Sequence, residues 1–298
     1  MVEEQFGRNL EERVNNMKKL IITGSNGQLG KELQKMLKDS TEYELINTDV
    51  AELDITNLTD VLAFVEDVMP YAIINCAAHT GVDACETQID LAYKINAIGP
   101  RNLAIAATKV QAKIVHVSTD YVFSGDGSRP YTEFDEVGPV GIYGKSKRAG
   151  EDFVKEFSSQ YFIIRTAWLY GDGNNFVKTM LRLSATNPEV RVVCDQFGTP
   201  TSAYELAKAI CYLLPSDNYG VFHGTCEGSC NWAEFAQEIF RLAGKDTKVI
   251  PIPSSEYVTP AKRPAYSIME NHMLKLTTDF EFADWKEAIS RYMESLEY

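Results

Sequence analysis

The sequence predicts an α/β protein: a doubly wound parallel sheet with a smaller C-terminal α/β domain. Two observations carry that prediction. Short runs rich in Ile and Val alternate with stretches of helical periodicity, and after about residue 170 the alternation gives way to connections rich in Gly, Asn and Pro. A length of 298 residues agrees with one large or two modest domains.

Taken in order, residues 1–16 are polar and charged and read as an N-terminal extension. Glu11, Glu12 and Arg13 fit purine-rich codons resembling a ribosome-binding site ahead of Met17, so a start at Met17 competes with a short solvated helix. The expected strands cover 19–24, 43–48, 72–77, 113–118, 161–167 and 190–193, and their continuous apolar character suits burial on both faces. Between them, Leu29, Leu33, Met36 and Leu37 recur at helical spacing, as do Leu58, Val61, Leu62 and Val65. A further helix covers about 88–109, with Gly99-Pro100 expected to interrupt or kink it. One domain is expected over 17–170, with a later segment at about 202–225 returning to it, and a second mainly over 171–298.

Charge narrows the function classes. Lys and Arg number 29 against 42 Asp and Glu, a net charge of −13 that repels phosphate backbones and anionic lipid. Neither nucleic acid nor a membrane is an expected partner, and a small anionic ligand needs a local cluster of cations or helix N-termini. No run approaches the roughly 18 apolar residues of a membrane span, and no secretory signal is evident, so the cytoplasm is the expected location. The six scattered cysteines, Cys76, Cys85, Cys194, Cys211, Cys226 and Cys230, read as reduced thiols.

The segment Gly24-Ser25-Asn26-Gly27-Gln28-Leu29-Gly30 follows the first strand and opens the first helix. Glycines there let a pyrophosphate approach the backbone, and the helix N-terminus favours its charge, which makes the first domain Rossmann-like. The spacing is G-x-x-G-x-x-G rather than G-x-G-x-x-G, so a plain tight turn is the competing reading. A triphosphate loop is excluded because Ser25 and Glu32 stand where that motif needs Gly and Ser or Thr. Asp49, 25 residues after Gly24, is placed to accept a ribose 2′-hydroxyl and repel a 2′-phosphate. That tips the expected cofactor toward NADH while leaving NADPH open. Asp54 and Ile55 fall where the next loop reaches the adenine.

Tyr143 and Lys147 stand at i and i+4, one turn apart on the same face of a helix. A phenol with a reference pKa of about 10 needs a nearby cation to work as a neutral-pH acid or base, and Lys147 is expected to lower it. Thr119 ends the fourth strand, at the edge where open parallel sheets hold ligands.

Glycine loop, strand-end Thr119, Tyr143 and Lys147 occur in an order that resembles the extended short-chain dehydrogenase/reductases. The likeness extends through TGSNGQLGKEL, INCAAHTGVDACE, KINAIGPRNLA, VSTDYVFSGDG, YGKSKRAGE, RTAWLYGDGNNFVKTM, DQFGTPTS and PAKRP. It implies a Thr119-Tyr143-Lys147 triad that delivers a proton to a ketone while the nicotinamide carries hydride. The implied substrate is a thymidine-diphospho-4-keto-6-deoxy sugar, reduced at C4. The same resemblance adds Ala77, Ala78, His79 and Asn96 to the cofactor side. It assigns Thr80, Val82, Tyr121, Trp168, Asn175, Phe176, Gln196, Thr201 and Arg263 to the substrate side, with Arg263 as the diphosphate partner.

One departure matters. Thr119-Asp120 is followed by Tyr121 and not by the Glu that dehydratases of this superfamily use, so elimination of water is disfavoured. Another sugar-nucleotide reductase, an epimerase, or a non-catalytic NAD(P)-binding regulatory subunit are the alternatives. His79, His116, His223 and His272 lack metal spacing, Cys226 and Cys230 with His223 lack a fourth ligand, and Glu32 alone is no basis for Mg2+, so no metal is expected. A homodimer is compatible with the sequence.

Overall fold

The computed structural model describes residues 17–296; the expected N-terminal extension lies outside the described residues. Six parallel strands form the central sheet. They are β1 (Lys18–Thr23), β2 (Tyr43–Thr48), β3 (Ala72–Asn75), β4 (Lys113–Thr119), β5 (Tyr161–Thr166) and, at the edge, Gly220–His223, in the order β2-β1-β3-β4-β5-edge. The order reverses between β1 and β3, the point where such sheets bind ligands beyond their carboxyl ends.

Alternate side chains of each strand feed opposite cores, as the two-residue period requires. Leu20, Ile22, Ile74, Val115, Phe162 and Ile164 pack with Leu29 and Leu33 of α1 (Gln28–Leu37) on one face. Ile21, Ile73, Ile114 and Ile163 pack on the other face with Val61 and Val65 of α2 (Leu58–Val68). Val154 of the long helix Ile142–Phe157 closes that second face.

One expectation needs correction. The run at 190–193 is a strand, Glu189–Val193, but it pairs with Lys248–Ile252 in a separate two-stranded parallel sheet. The sixth strand of the main sheet is instead Gly220–His223, pairing with β5 from Gly220 opposite Phe162 to His223 opposite Arg165. Its residues GVFH, with Gly and His at the ends, lack the β-branched run of VRVV, and pairing partners are set by the tertiary fold.

The interruption expected at Gly99-Pro100 takes the form of a π turn directly before it. Ile89–Tyr93 continues through a π turn at Lys94–Ile98 into Gly99–Lys109. A proline ring conflicts with the carbonyl four residues back, here that of Asn96, and the wider π turn moves that carbonyl aside. The displaced Asn96 carbonyl meets Gly150 of the long helix so closely that a Cβ on Gly150 would stand 2.2 Å from it.

A third core lies outside the sheet. Tyr170, Val177 and Met180 pack there with Val190 and Val192, Phe235 and Ile239 of the helix Trp232–Leu242, and Trp285 and Ile289 of the C-terminal helix Trp285–Ser295. The segment Ala203–Leu213 does not join it; Leu206, Ala207 and Ile210 pack against the sheet beside Leu33.

Gly150→Ala should force the long helix off the π turn, lowering stability by about 1–3 kcal/mol. Urea denaturation of the variant against the parent chain measures it, and an unchanged midpoint would contradict the packing described.

Candidate active site

A cleft of about 720 Å³ opens at the carboxyl ends of the strands, within the range of small-molecule sites. Its two ends differ in chemistry.

At one end stands the glycine loop. Gly24 adopts φ +63° and lies so near the next loop that a Cβ would come within 2.7 Å of the Ala77 nitrogen. Gly30 packs equally closely on the Gly24 carbonyl, 2.5 Å from where its Cβ would be. These contacts draw the start of α1 against β1 and β3. Gly27 caps that helix with no side-chain hydrogen bond, so the first-turn amides of Gln28, Leu29 and Gly30, all in the cleft lining, have no capping side chain. That arrangement fits a pyrophosphate.

Asp49 lines the same end and accepts hydrogen bonds from the Asn26 amide at 3.2 Å and the Val50 amide at 2.9 Å. Asp54 and Ile55 line the cleft nearby. The Asp54 carboxylate is bound to Thr56, which holds its pKa below the usual range, and the Ile55 carbonyl accepts from Asn102 at 3.0 Å. The cations in the lining are Lys147 and Arg263, neither of them in the loops that carry Asp49 and Asp54.

At the other end Thr119, Tyr143 and Lys147 come together. Gly144 permits this: a Cβ there would lie 2.1 Å from the Tyr121 carbonyl, so the long helix rests on the turn that follows β4. Thr119 donates to Asp120 Oδ1 at 2.8 Å and stands close enough to the Tyr143 phenol to favour its ionised form. Tyr121 meets Tyr143 edge to face, their centroids 5.4 Å apart. The Lys147 ammonium donates to the Val117 carbonyl at 2.5 Å.

The expected lowering of the Tyr143 pKa is not what the site produces. Burial pushes that pKa up, the Thr119 hydroxyl opposes only in part, and Lys147 is not among the principal influences. The phenol therefore keeps its proton at neutral pH, the state an acid requires. Burial also pulls Lys147 down to about 8 and Asp120 up to about 6. Around neutrality the lysine is largely charged and the aspartate largely ionised.

Thr80, Val82, Tyr121, Trp168 and Arg263 complete the catalytic end, and Ala77 and Ala78 bridge the two ends. Trp168 holds φ +47°, an uncommon backbone state for so large a side chain, and stacks on Trp232 with centroids 3.5 Å apart. Gly198 leaves room for the Trp168 indole, since a Cβ there would come within 2.6 Å of it. Arg263 is engaged within the protein, donating to Asp83 Oδ2 at 2.8 Å and to the Tyr121 hydroxyl at 3.3 Å.

Seven expected residues stand outside the cleft lining. Asn26 lends its amide to Asp49. Asn96, fully buried in the π turn, accepts from the His79 amide at 2.8 Å and donates to Ser146 at 3.1 Å, tying the His79 loop to the long helix. His79 itself pairs with Gln88 at 3.0 Å. Asn175 caps the helix Phe176–Ser184 and donates to Gln28, while Phe176 packs on Trp232 and Phe235. Thr201 is buried against the Thr199 carbonyl, and Gln196 lies in the half-buried connection after Val193. The cleft brings in Asp120 and Trp232, which the motifs did not assign to the site, and Asp83 reaches it through Arg263.

The comparisons with known proteins bear on this geometry. The profile described as "RmlD substrate binding domain" matches residues 17–298. The chain belongs to that family. A crystal structure of a dTDP-4-dehydrorhamnose reductase from Clostridium acetobutylicum is 56% identical, with a TM-score of 0.91 over 93% of this chain and 98% of that one. The dTDP-4-dehydrorhamnose reductase of Bacillus anthracis, solved in complex with NADP, is 47% identical with a TM-score of 0.92 over 94% of this chain and all of its own. The enzyme of that name from Aggregatibacter actinomycetemcomitans is 40% identical over 92% of this chain and 97% of its length. Among the described residues, no helix is long and apolar enough to cross a membrane, and no group of three or more His, Cys, Asp or Glu is arranged to hold a metal ion.

Removing the stacked partner in Trp232→Ala should release Trp168 and raise the KM for the substrate about tenfold, with a smaller change in kcat, on the scale of an aromatic pair. Steady-state kinetics of the variant measures that split.

Proposed function

We propose that the chain reduces the C4 keto group of dTDP-4-dehydro-6-deoxy-L-mannose to give dTDP-L-rhamnose, with a reduced nicotinamide dinucleotide as cofactor. The observation that carries this reading is a phenol held protonated by burial and set beside Thr119, in one cleft with an uncapped glycine-rich helix N-terminus. Family membership supports the substrate class.

The glycine loop, Asp49, Ile55 and Ala77 would hold the dinucleotide, which when bound supplies a hydride equivalent to the carbonyl carbon. Tyr143 donates its proton to the carbonyl oxygen as that oxygen gains negative charge, leaving a secondary alcohol and a phenolate. Thr119, held beside the phenol by its hydrogen bond to Asp120, turns its one hydroxyl proton from Asp120 to the phenolate as that charge forms. Lys147 contributes positive charge to the cofactor side of the cleft. Trp168 and Tyr121 bound the sugar, and Arg263 meets the diphosphate, exchanging Asp83 for phosphate oxygens. No step calls on a metal ion.

The carboxylate of Asp49, with no cation of the lining in its own loop, supports NADH as a competent cofactor alongside NADPH. A cytoplasmic enzyme drawing on both pools is the corresponding reading.

An assay of dTDP-4-dehydrorhamnose with NADH or NADPH, read by cofactor oxidation and by NMR of the product, tests the reaction. Tyr143→Phe should reduce turnover by at least about 100-fold; a parent chain that oxidises neither cofactor would favour a regulatory role. Asp49→Ala should lower kcat/KM with NADH relative to NADPH, and an unchanged ratio would remove Asp49 from cofactor choice. The kcat/KM profile should fall below about pH 6, where Asp120 takes a proton, and above about pH 8, where Lys147 loses one. Asp120→Asn should abolish the acidic limb.

A further inference from the structure

One turn beyond Lys147 on the same helix stands Glu151, fully buried. A buried carboxylate is expensive unless it is paired. Its partner is Arg165 of β5, also buried, which donates through Nε to Oε1 and through Nη2 to Oε2, both at 2.8 Å. Arg148 adds a contact at 3.1 Å and Lys155 a longer one at 3.9 Å. Arg165 also lies over the Phe123 ring, 5.2 Å from its centroid, a second contact that holds the guanidinium. Such a pair adds little to stability over an apolar substitute. Its placement beside the Tyr143-Lys147 face gives it a use.

We propose that the Glu151–Arg165 pair is a positioning element of the active site, its carboxylate keeping the buried Lys147 ammonium charged and directed into the cleft. The spacing supports this: Tyr143, Lys147 and Glu151 follow one another at four-residue intervals, so the carboxylate lies one turn behind the ammonium. Arg165, held on the β5 side, anchors the carboxylate there.

The groups around the two side chains agree. Lys147 faces the Val117 carbonyl and His116 from β4, Cys76 from the loop after β3, and Glu151 on its own helix. Burial lowers the lysine, and Glu151 opposes that most. Glu151 in turn meets Arg165 from β5, Ser118 and His116 from β4, His223 from the edge strand, and Arg148 and Lys155 from its own helix. Burial raises its pKa, but Arg165 more than offsets this and holds it at about 2, so it is ionised throughout the working range. His116 and His223 are both held neutral, chiefly by burial. Glu151 is therefore the full negative charge next to the lysine in this buried cluster.

The inference rests on Lys147 acting as the cofactor-side cation, and the test separates the two claims. The pH dependence of NADPH binding, followed by cofactor fluorescence, and the alkaline limb of kcat/KM are measured for Lys147→Met, Glu151→Gln, Glu151→Asp and the double variant Glu151→Gln/Arg165→Gln. The double variant replaces both charges with bonded amides and so avoids leaving a lone buried guanidinium if Glu151→Gln does not fold. Both Gln variants should move the alkaline limb down by about one pH unit, and Glu151→Asp should restore most of it. A limb abolished by Lys147→Met but unmoved in the folded Gln variants overturns the positioning role alone. A limb that survives Lys147→Met overturns the reading of Lys147 and the positioning role with it.

Discussion

Everything at the catalytic end depends on how closely one helix lies on its neighbours. Ile142–Phe157 touches backbone at two places where it carries no side chain: Gly144 on the Tyr121 carbonyl and Gly150 on the Asn96 carbonyl. With those two approaches fixed, the four-residue spacing delivers Tyr143 and Lys147 to the rim of β4 and Glu151 to β5. The π turn belongs to the same constraint, because it supplies the carbonyl that Gly150 meets and the Asn96 carboxamide that grips both Ser146 and the His79 loop. A straight α-helix at that point would turn both groups elsewhere.

Burial then sets the chemistry, and it acts on each group in the direction its charge dictates. It makes Tyr143 a better-held acid, which suits reduction, since the phenol must arrive with its proton. The same burial weakens the lysine and lifts the aspartate. The site answers with hydrogen bonds and one internal ion pair rather than with open solvent, leaving a window of protonation states centred near neutrality.

Much of this was legible in the amino-acid pattern. Four of the six sheet strands announce themselves as buried runs with side chains needed on both faces, Leu20, Ile21 and Ile22 being the clearest case, and the half-buried edge strand Tyr43–Thr48 is still marked by Leu45 and Ile46. Gly220–His223 is not, because its place at the edge is decided by β5 rather than by its own residues. At the site, the glycine loop, Thr119, Tyr143 and Lys147 are local signals tied to helix and strand ends, and local signals survive translation into three dimensions. Trp232 and Asp83 have no such signal. One is the first residue of a helix in the third core and the other sits in a short turn, and both reach the cleft only through tertiary contact with Trp168 and Arg263. Conversely, Asn175, Phe176 and Thr201 sit in recognisable motifs, yet in the structure they cap, pack and brace the wall behind the cleft.

The route of the chain between its cores sets the scale of motion. After Tyr170 it enters the third core, returns to the sheet through Leu206–Phe222, leaves again for Cys226–Val249, comes back at Leu274 and Phe282, and ends beyond Trp285 in the third core. Two bodies sewn together by so many threads do not swing on a single pivot. Severing any one connection leaves the halves still stitched.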